Sequence, residues 1–193
     1  MNKKMLLVIC GFVMLLVVGS VFGNKSQPTR PHNPQNIPAP SSEPIPEPVV
    51  YSTFFNYVVH VKEQADETEN KGKSAASLRA YFQNQAGLTE DQARLLNDLA
   101  AKCVTDVARQ DAIAQEVVNK FQSQFPNGRI PKGTKLPPPP ASLAIMQQER
   151  NRIILQARES LQLTLGEIAF NKVRNYIAVS ITPNIKAISL PGK

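Results

Sequence analysis

A histidine and two glutamates are the first residues whose types and spacing could do chemistry. His60 is followed by Glu63 and Glu67 at helical spacing, so the three side chains would share one helix face. Imidazole and carboxylate groups can bind metals or transfer protons. A metal site would need further ligands from elsewhere, and the sequence has no CxxC, HxxxH or HExxH motif. We expect an ordinary exposed or core-edge His60 and predict no metal site.

Two further segments bear on catalytic motifs. The segment Gly72-Lys73-Ser74 is similar to the end of a phosphate-binding loop, but that loop needs a glycine where Glu67 stands and a buried strand before it. A serine nucleophile would need His60 as its base, and no GxSxG turn is present. The sequence therefore predicts no catalytic residue, no cofactor and no enzyme activity.

Cys103 lies on the apolar stripe of a long predicted helix. The other cysteine, Cys10, lies in an apolar N-terminal run that export would remove, so no internal disulfide would remain. A buried and inert thiol is the default expectation for Cys103. The alternative is an intermolecular disulfide across a dimer, in an oxidising compartment.

Arg150 lies one turn from Met146 and Ile153, near the buried side of its predicted helix. An arginine in such a place usually pairs with a carboxylate of the facing helix. Asp106 and Asp111 are the two candidate partners.

Helices must position these side chains, because apolar residues recur at spacings of three and four. No segment before the C-terminal tail alternates with the period of a strand. The predicted fold class is all-α: a long antiparallel helical hairpin with two or three shorter helices. The pattern predicts helices over about 51–69, 74–86, 89–124, 142–165 and 167–178, the second of them ending at Gly87 and the fourth at Gly166.

The clearest local signal opens the longest of these helices. It reads Leu88-Thr89-Glu90-Asp91-Gln92, in which Thr89 can cap the helix and Gln92 can bond back to it. The segment therefore predicts a capping box.

The N-terminus predicts export. Lys3 and Lys4 precede an apolar run over 5–22, and small residues follow at a cleavage site, so 1–23 is a signal peptide or, if uncleaved, a membrane anchor. Residues 24–48 form a proline-rich disordered spacer. The helical domain then covers 49–178, and an extended or disordered tail covers 179–193. The predicted location is the periplasm or cell envelope.

The formal net charge of +7 includes two lysines that cleavage would remove. Acidic and basic residues are interspersed, so no phosphate-binding stripe is indicated and nucleic acid is not an expected partner. Membrane contact is expected only through an uncleaved N-terminal segment.

Leu88, Thr89 and Gln92 at the start of a long amphipathic helix resemble the LTxxQ motif of periplasmic helical proteins, the Spy/CpxP-type stress chaperones. A second such motif is typical near the end of these proteins; here Leu163-Thr164-Leu165-Gly166-Glu167 stands there without the glutamine. The alternative is another bacterial family of exported helical proteins.

The resemblance implies a non-catalytic envelope binding protein, of the kind that holds unfolded clients without ATP. A homodimer is compatible with it, because a thin helical hairpin leaves apolar surface on one face. The alternative function is an N-terminally tethered structural or assembly component that binds one specific protein partner.

Overall fold

The computed structural model describes residues 44–125, 128 and 137–185. Every regular element in these ranges is helical, which confirms the all-α fold class. The elements are α1 (Glu47–Asn70), α2 (Ala76–Arg79), α3 (Tyr81–Ala86), α4 (Glu90–Gln122) and α5 (Ala141–Tyr176), followed by a π-helical turn (Ile177–Ile181) and a 3₁₀ turn (Thr182–Asn184). The predicted signal peptide and most of the predicted spacer lie outside the described residues.

The two longest helices, α4 and α5, pack antiparallel as the predicted hairpin. In the second half of α4, the Gln110 side-chain amide donates to the carbonyl of Met146, near the start of α5, at 3.4 Å. Beyond a bend of α5 at Gly166, the Lys172 ammonium donates to the carbonyl of Gly87, just before α4, at 2.9 Å. The start of α4 therefore lies beside the part of α5 that follows this bend.

The N-terminal helix α1 begins at Glu47, four residues before the predicted start. Pro46 is its N-cap and Pro48 lies in its first turn. Proline is tolerated there because the first turn has no intrahelical partner for the missing N–H. The predicted boundary between spacer and domain, at 48/49, is therefore wrong and falls inside α1.

The core joins aromatic residues of α1, α3 and the end of α5 to the buried apolar residues of α4 and mid-α5, such as Leu96 and Ile154. Phe54 is fully buried, and its ring lies 6.2 Å from that of Phe82 and 6.3 Å from that of Tyr176. The hydroxyls of Tyr57, Tyr81 and Tyr176 form a chain with spacings of 2.8 and 3.2 Å. Burial, the first cause, raises the pKa of both Tyr57 and Tyr176. This chain satisfies the polar ends of otherwise apolar rings and is structural.

The chain of α5 reverses sharply at Gly166, where the sequence predicted that the helix ends. Gly166 has φ 72° and ψ 167°, a conformation essentially restricted to glycine. The Arg158 guanidinium carbon lies 5.2 Å from the centre of the Phe170 ring. Twelve residues of straight helix would place them roughly 18 Å apart along the axis. Residues 167–176 therefore fold back onto the core.

The C-terminal part departs from prediction. An extended or disordered tail was expected from Val179, but helical turns continue to Asn184 and Ile181 is buried in the core. The prediction is wrong for 179–184, because burial of Ile181 favours the helical path; residues 186–193 lie outside the described range. Among the described residues, none of the helices is both long and apolar enough to cross a membrane.

Candidate binding groove

The structure keeps the predicted chemical residues apart from one another. His60 is exposed, and its ring nitrogen lies 3.0 Å from the side-chain amide nitrogen of Gln64. Within the described ranges, no three histidine, cysteine or acidic side chains come together in a way that could hold a metal. His60 therefore has the surroundings of a surface histidine.

The motif residues at the start of α4 form the predicted capping box. The Thr89 hydroxyl accepts from the Gln92 amide at 3.3 Å, and the Gln92 side-chain oxygen accepts from the Thr89 amide at 3.0 Å. Leu88 is buried, and Gly87 before it takes the left-handed conformation. These residues therefore fix the start of the hairpin.

Arg150 bridges three helices through partly buried groups. Its Nε donates to the Asp111 carboxylate at 3.1 Å, and its Nη2 lies 3.5 Å from the Ser52 hydroxyl. Of the two predicted partners, Asp111 is confirmed. Asp106 instead pairs with cations of its own helix.

Cys103 has only 3% of its surface exposed. Burial, reinforced by the nearby Asp106 carboxylate, raises the pKa of the Cys103 thiol to about 11. The thiol is therefore protonated and poorly nucleophilic at neutral pH. These surroundings favour the inert thiol, and the intermolecular disulfide stays a prediction.

A groove of about 520 Å³, the α4/α5 groove, runs between α4 and α5. Its floor is mainly apolar: Leu99, Cys103, Ile153 and Ala157, with the half-exposed Ile113 toward one end. Its walls carry most of the polar residues, which are Lys102, Asp106, Arg109, Gln110, Glu149, Arg152, Gln156 and Ser160.

The α4 wall carries two cations that share one carboxylate. Lys102 and Arg109 both pair with Asp106, at 2.6 and 3.2 Å. The hydrogen bond from Lys102 is the main cause of the lowered pKa of Asp106. Both cations are more than two-thirds exposed, so they can bond to a ligand as well as to Asp106.

The α5 wall carries one ion pair, Arg152 with Glu149. The hydrogen bond from Arg152 lowers the pKa of Glu149 and raises the pKa of Arg152 itself. Among the ion pairs of the groove-lining residues, each joins residues of a single helix, and none joins α4 to α5. The two walls are therefore not joined by an ion pair, although the wall residue Gln110 of α4 donates to the Met146 carbonyl of α5.

The chemistry of the groove follows from its apolar floor and its charged walls. The groove lining contains no hydroxyl or thiol hydrogen-bonded to a base, which a nucleophile requires. An apolar floor between two rows of charge is the geometry that receives the apolar edge of another protein segment. Sequence reasoning identified the apolar stripe of α4 but missed the groove, whose signal was the run of charges at 102, 106 and 109 beside that stripe.

Comparison with known proteins assigns no family to the chain. No protein-family model matches the chain, and neither a curated protein nor a solved structure matches it significantly. The resemblance to LTxxQ-motif proteins stays a prediction carried by Leu88, Thr89 and Gln92.

Proposed function

We propose that this protein is a non-catalytic binding protein of the cell envelope that holds apolar segments of other proteins in the α4/α5 groove, as an ATP-independent chaperone does. The observation that carries the proposal is the groove itself, an apolar floor open to solvent between charged walls. Helix-in-groove recognition likewise lays the apolar face of a helix into an apolar groove.

Two further observations support binding without chemistry. The thiol in the groove floor is buried with a raised pKa, so it adds apolar surface and little reactivity. The walls are held by short-range ion pairs within each helix, so they can stay in place while a ligand enters. Export to the envelope rests on the N-terminal residues 1–23 of the sequence.

Suppression of aggregation tests this function. A chemically denatured client is diluted into buffer with the exported protein, and light scattering is followed over time. Ile113→Asp places a charge in the groove, while Leu163→Asp changes an apolar residue that is 84% exposed and does not line the groove. Both side chains reach solvent already, so neither change should unfold the domain.

We expect the wild type and Leu163→Asp to suppress scattering equally and Ile113→Asp to lose most of the effect. Absence of suppression by the wild type at molar excess would discard the chaperone-like function. If both variants lost the suppression of aggregation equally, clients would bind outside the groove.

The charged walls favour a second candidate, a tethered assembly component with one specific partner. Charges at fixed positions along a groove discriminate between partners, because wrongly placed like charges are repelled. This candidate predicts that one envelope protein co-purifies with the wild type and is lost from Arg109→Glu, while denatured clients aggregate as usual.

A further inference from the structure

The charges of the two groove walls are complementary to each other when they are compared at equal height along the hairpin. The contacts of Gln110 with Met146 and of Asp111 with Arg150 set the register of α4 against α5. Because the two helices are antiparallel, each step back along α4 from these contacts corresponds to one step forward along α5. Asp106 therefore lies at the height of about residue 153. By the same count, Arg109 lies at the height of about residue 150. Thus Asp106 is level with Arg152, and Arg109 is level with Glu149.

From this register we infer that the α4/α5 groove is also a self-association surface, on which two copies of the chain pack face to face as a four-helix bundle. The inference rests on the proposed function in taking the groove as the binding face. It adds that a second copy and a client exclude each other from that face.

Symmetry determines how two such faces can meet. In a two-fold dimer the same surface is used twice, and the axis lies in the interface. An axis parallel to the helices puts α4 of one copy over α5 of the other at unchanged height. Asp106 then faces Arg152 of the second copy, and Arg109 faces Glu149 of the second copy. Each contact occurs twice, which gives four pairs of opposite charge.

The other symmetric arrangement is electrostatically worse. An axis perpendicular to the helices and centred on the groove lays α4 over α4, so Asp106 approaches Asp106 of the second copy. Arg152 likewise approaches its own equivalent. Like charges placed opposite each other discriminate against such a pairing. The charge pattern therefore selects the parallel axis.

The apolar floor supplies the centre of the bundle. Leu99, Ile153 and Ala157 are only half-buried in one copy, and Ile113 is 46% exposed. From Leu99 to Ile113 the stripe is roughly 21 Å long, and two helices are roughly 20 Å wide, which gives a footprint of about 400 Å² per copy. That is below the size of most stable interfaces. We therefore expect a weak dimer that forms as concentration rises.

The geometry of this dimer also decides whether the two Cys103 thiols can form a disulfide. With the axis parallel to the helices, the two α4 helices lie diagonally across the bundle, farther apart than adjacent helices. Adjacent helices are already about 8–10 Å apart, and a disulfide needs Cα atoms within about 7 Å. The dimer is therefore non-covalent, and no link between the two Cys103 thiols is expected.

Sedimentation velocity of the full exported chain, from low micromolar to submillimolar concentration, tests the inference. Asp106→Arg and Arg152→Asp each place like charges together, and the double variant restores opposite charges in exchanged positions. Asp98→Arg and Arg174→Asp are matched controls, since neither residue lines the groove. Circular dichroism checks that each variant is folded.

We expect a concentration-dependent dimer that each single change weakens by about tenfold or more, with the double variant close to wild type, since close charge pairs couple strongly across interfaces. The controls should dimerise normally. A monomer at every concentration, or single changes with no effect on the dimer, would overturn the inference. So would a double variant no better than the single ones.

A different result would refute the proposed function alone: a wild type that dimerises but does not suppress aggregation. A monomer that still suppresses aggregation, with suppression lost in Ile113→Asp, would refute self-association and leave the groove as a client site. Adding denatured client to the wild-type dimer should release monomer–client complexes. Client bound to an intact dimer would overturn the mutual exclusion.

Discussion

Replacing Gly166 with alanine tests the reversal that brings the end of α5 back onto the core. A side chain at this position would meet no atom within 4 Å, so the substitution acts through the backbone alone. The conformation φ 72°, ψ 167° is unfavourable for an alanine by about 1–3 kcal/mol. Alanine also restricts the unfolded chain, which offsets about 0.4–1 kcal/mol of that cost.

The net expectation is that Gly166→Ala lowers the free energy of unfolding by about 1–2 kcal/mol. Urea unfolding followed by circular dichroism measures this change directly. Thr164→Ala is a matched control two residues away, exposed and engaged only in a bond to the carbonyl of Ser160. Its effect should stay within about 0.5 kcal/mol.

The sign of the change in the free energy of unfolding distinguishes a folded-back α5 from a straight one. If α5 ran straight through residue 166, alanine would stabilise it by about 1 kcal/mol, because glycine is a poor helix former. A stabilised Gly166→Ala would therefore refute the folded-back helix. It would also refute the burial of Phe170, Val173 and Tyr176 against the core.

Three further perturbations follow from the described contacts. Thr89→Ala removes the cap of α4 and should cost about 1 kcal/mol in urea unfolding; an unchanged midpoint would contradict the capping box. Cys103 should react with a thiol reagent far more slowly in the folded protein than in urea at pH 8, because burial raises its pKa to about 11; equal rates would contradict its burial. The raised pKa values of Tyr57 and Tyr176 add stability that is fully present below the ordinary tyrosine pKa near 10 and is lost as pH rises further. Alkaline unfolding should therefore begin above about pH 10 and shift in Tyr176→Phe; the same pH profile in both proteins would contradict the role given to the hydroxyl chain.

Features encoded locally were predictable from sequence. The capping box needs only Thr89 and Gln92 three residues apart, and the stop at Gly166 needs only a glycine after an apolar stripe. The predicted start of α5 near residue 142 was one residue late, because Pro140 is the N-cap and the helix begins at Ala141. Pro140 is already extended, with ψ 129°, so the helix could begin one residue earlier without a side-chain cap.

Features that depend on tertiary packing were not predictable. The β-branched residues after Ala178 are typical of extended chain, but burial of Ile181 outweighs that weak preference. The apolar stripe of α4 can be identified in the sequence. The side of it that α1 covers, and the side that stays open, depend on how the helices cross. The α4/α5 groove therefore depends on the packing of three helices, although each of its residues stands in the sequence.

Hydrogen exchange measured by mass spectrometry, with and without a denatured client, tests the groove most directly as the binding face. It should be run at a concentration low enough to keep the protein monomeric. Client binding should slow exchange in the segments 99–113 and 149–160 and leave α1 and residues 167–176 unchanged. Unchanged exchange in both groove segments, with slowing elsewhere or nowhere, would contradict the proposed function.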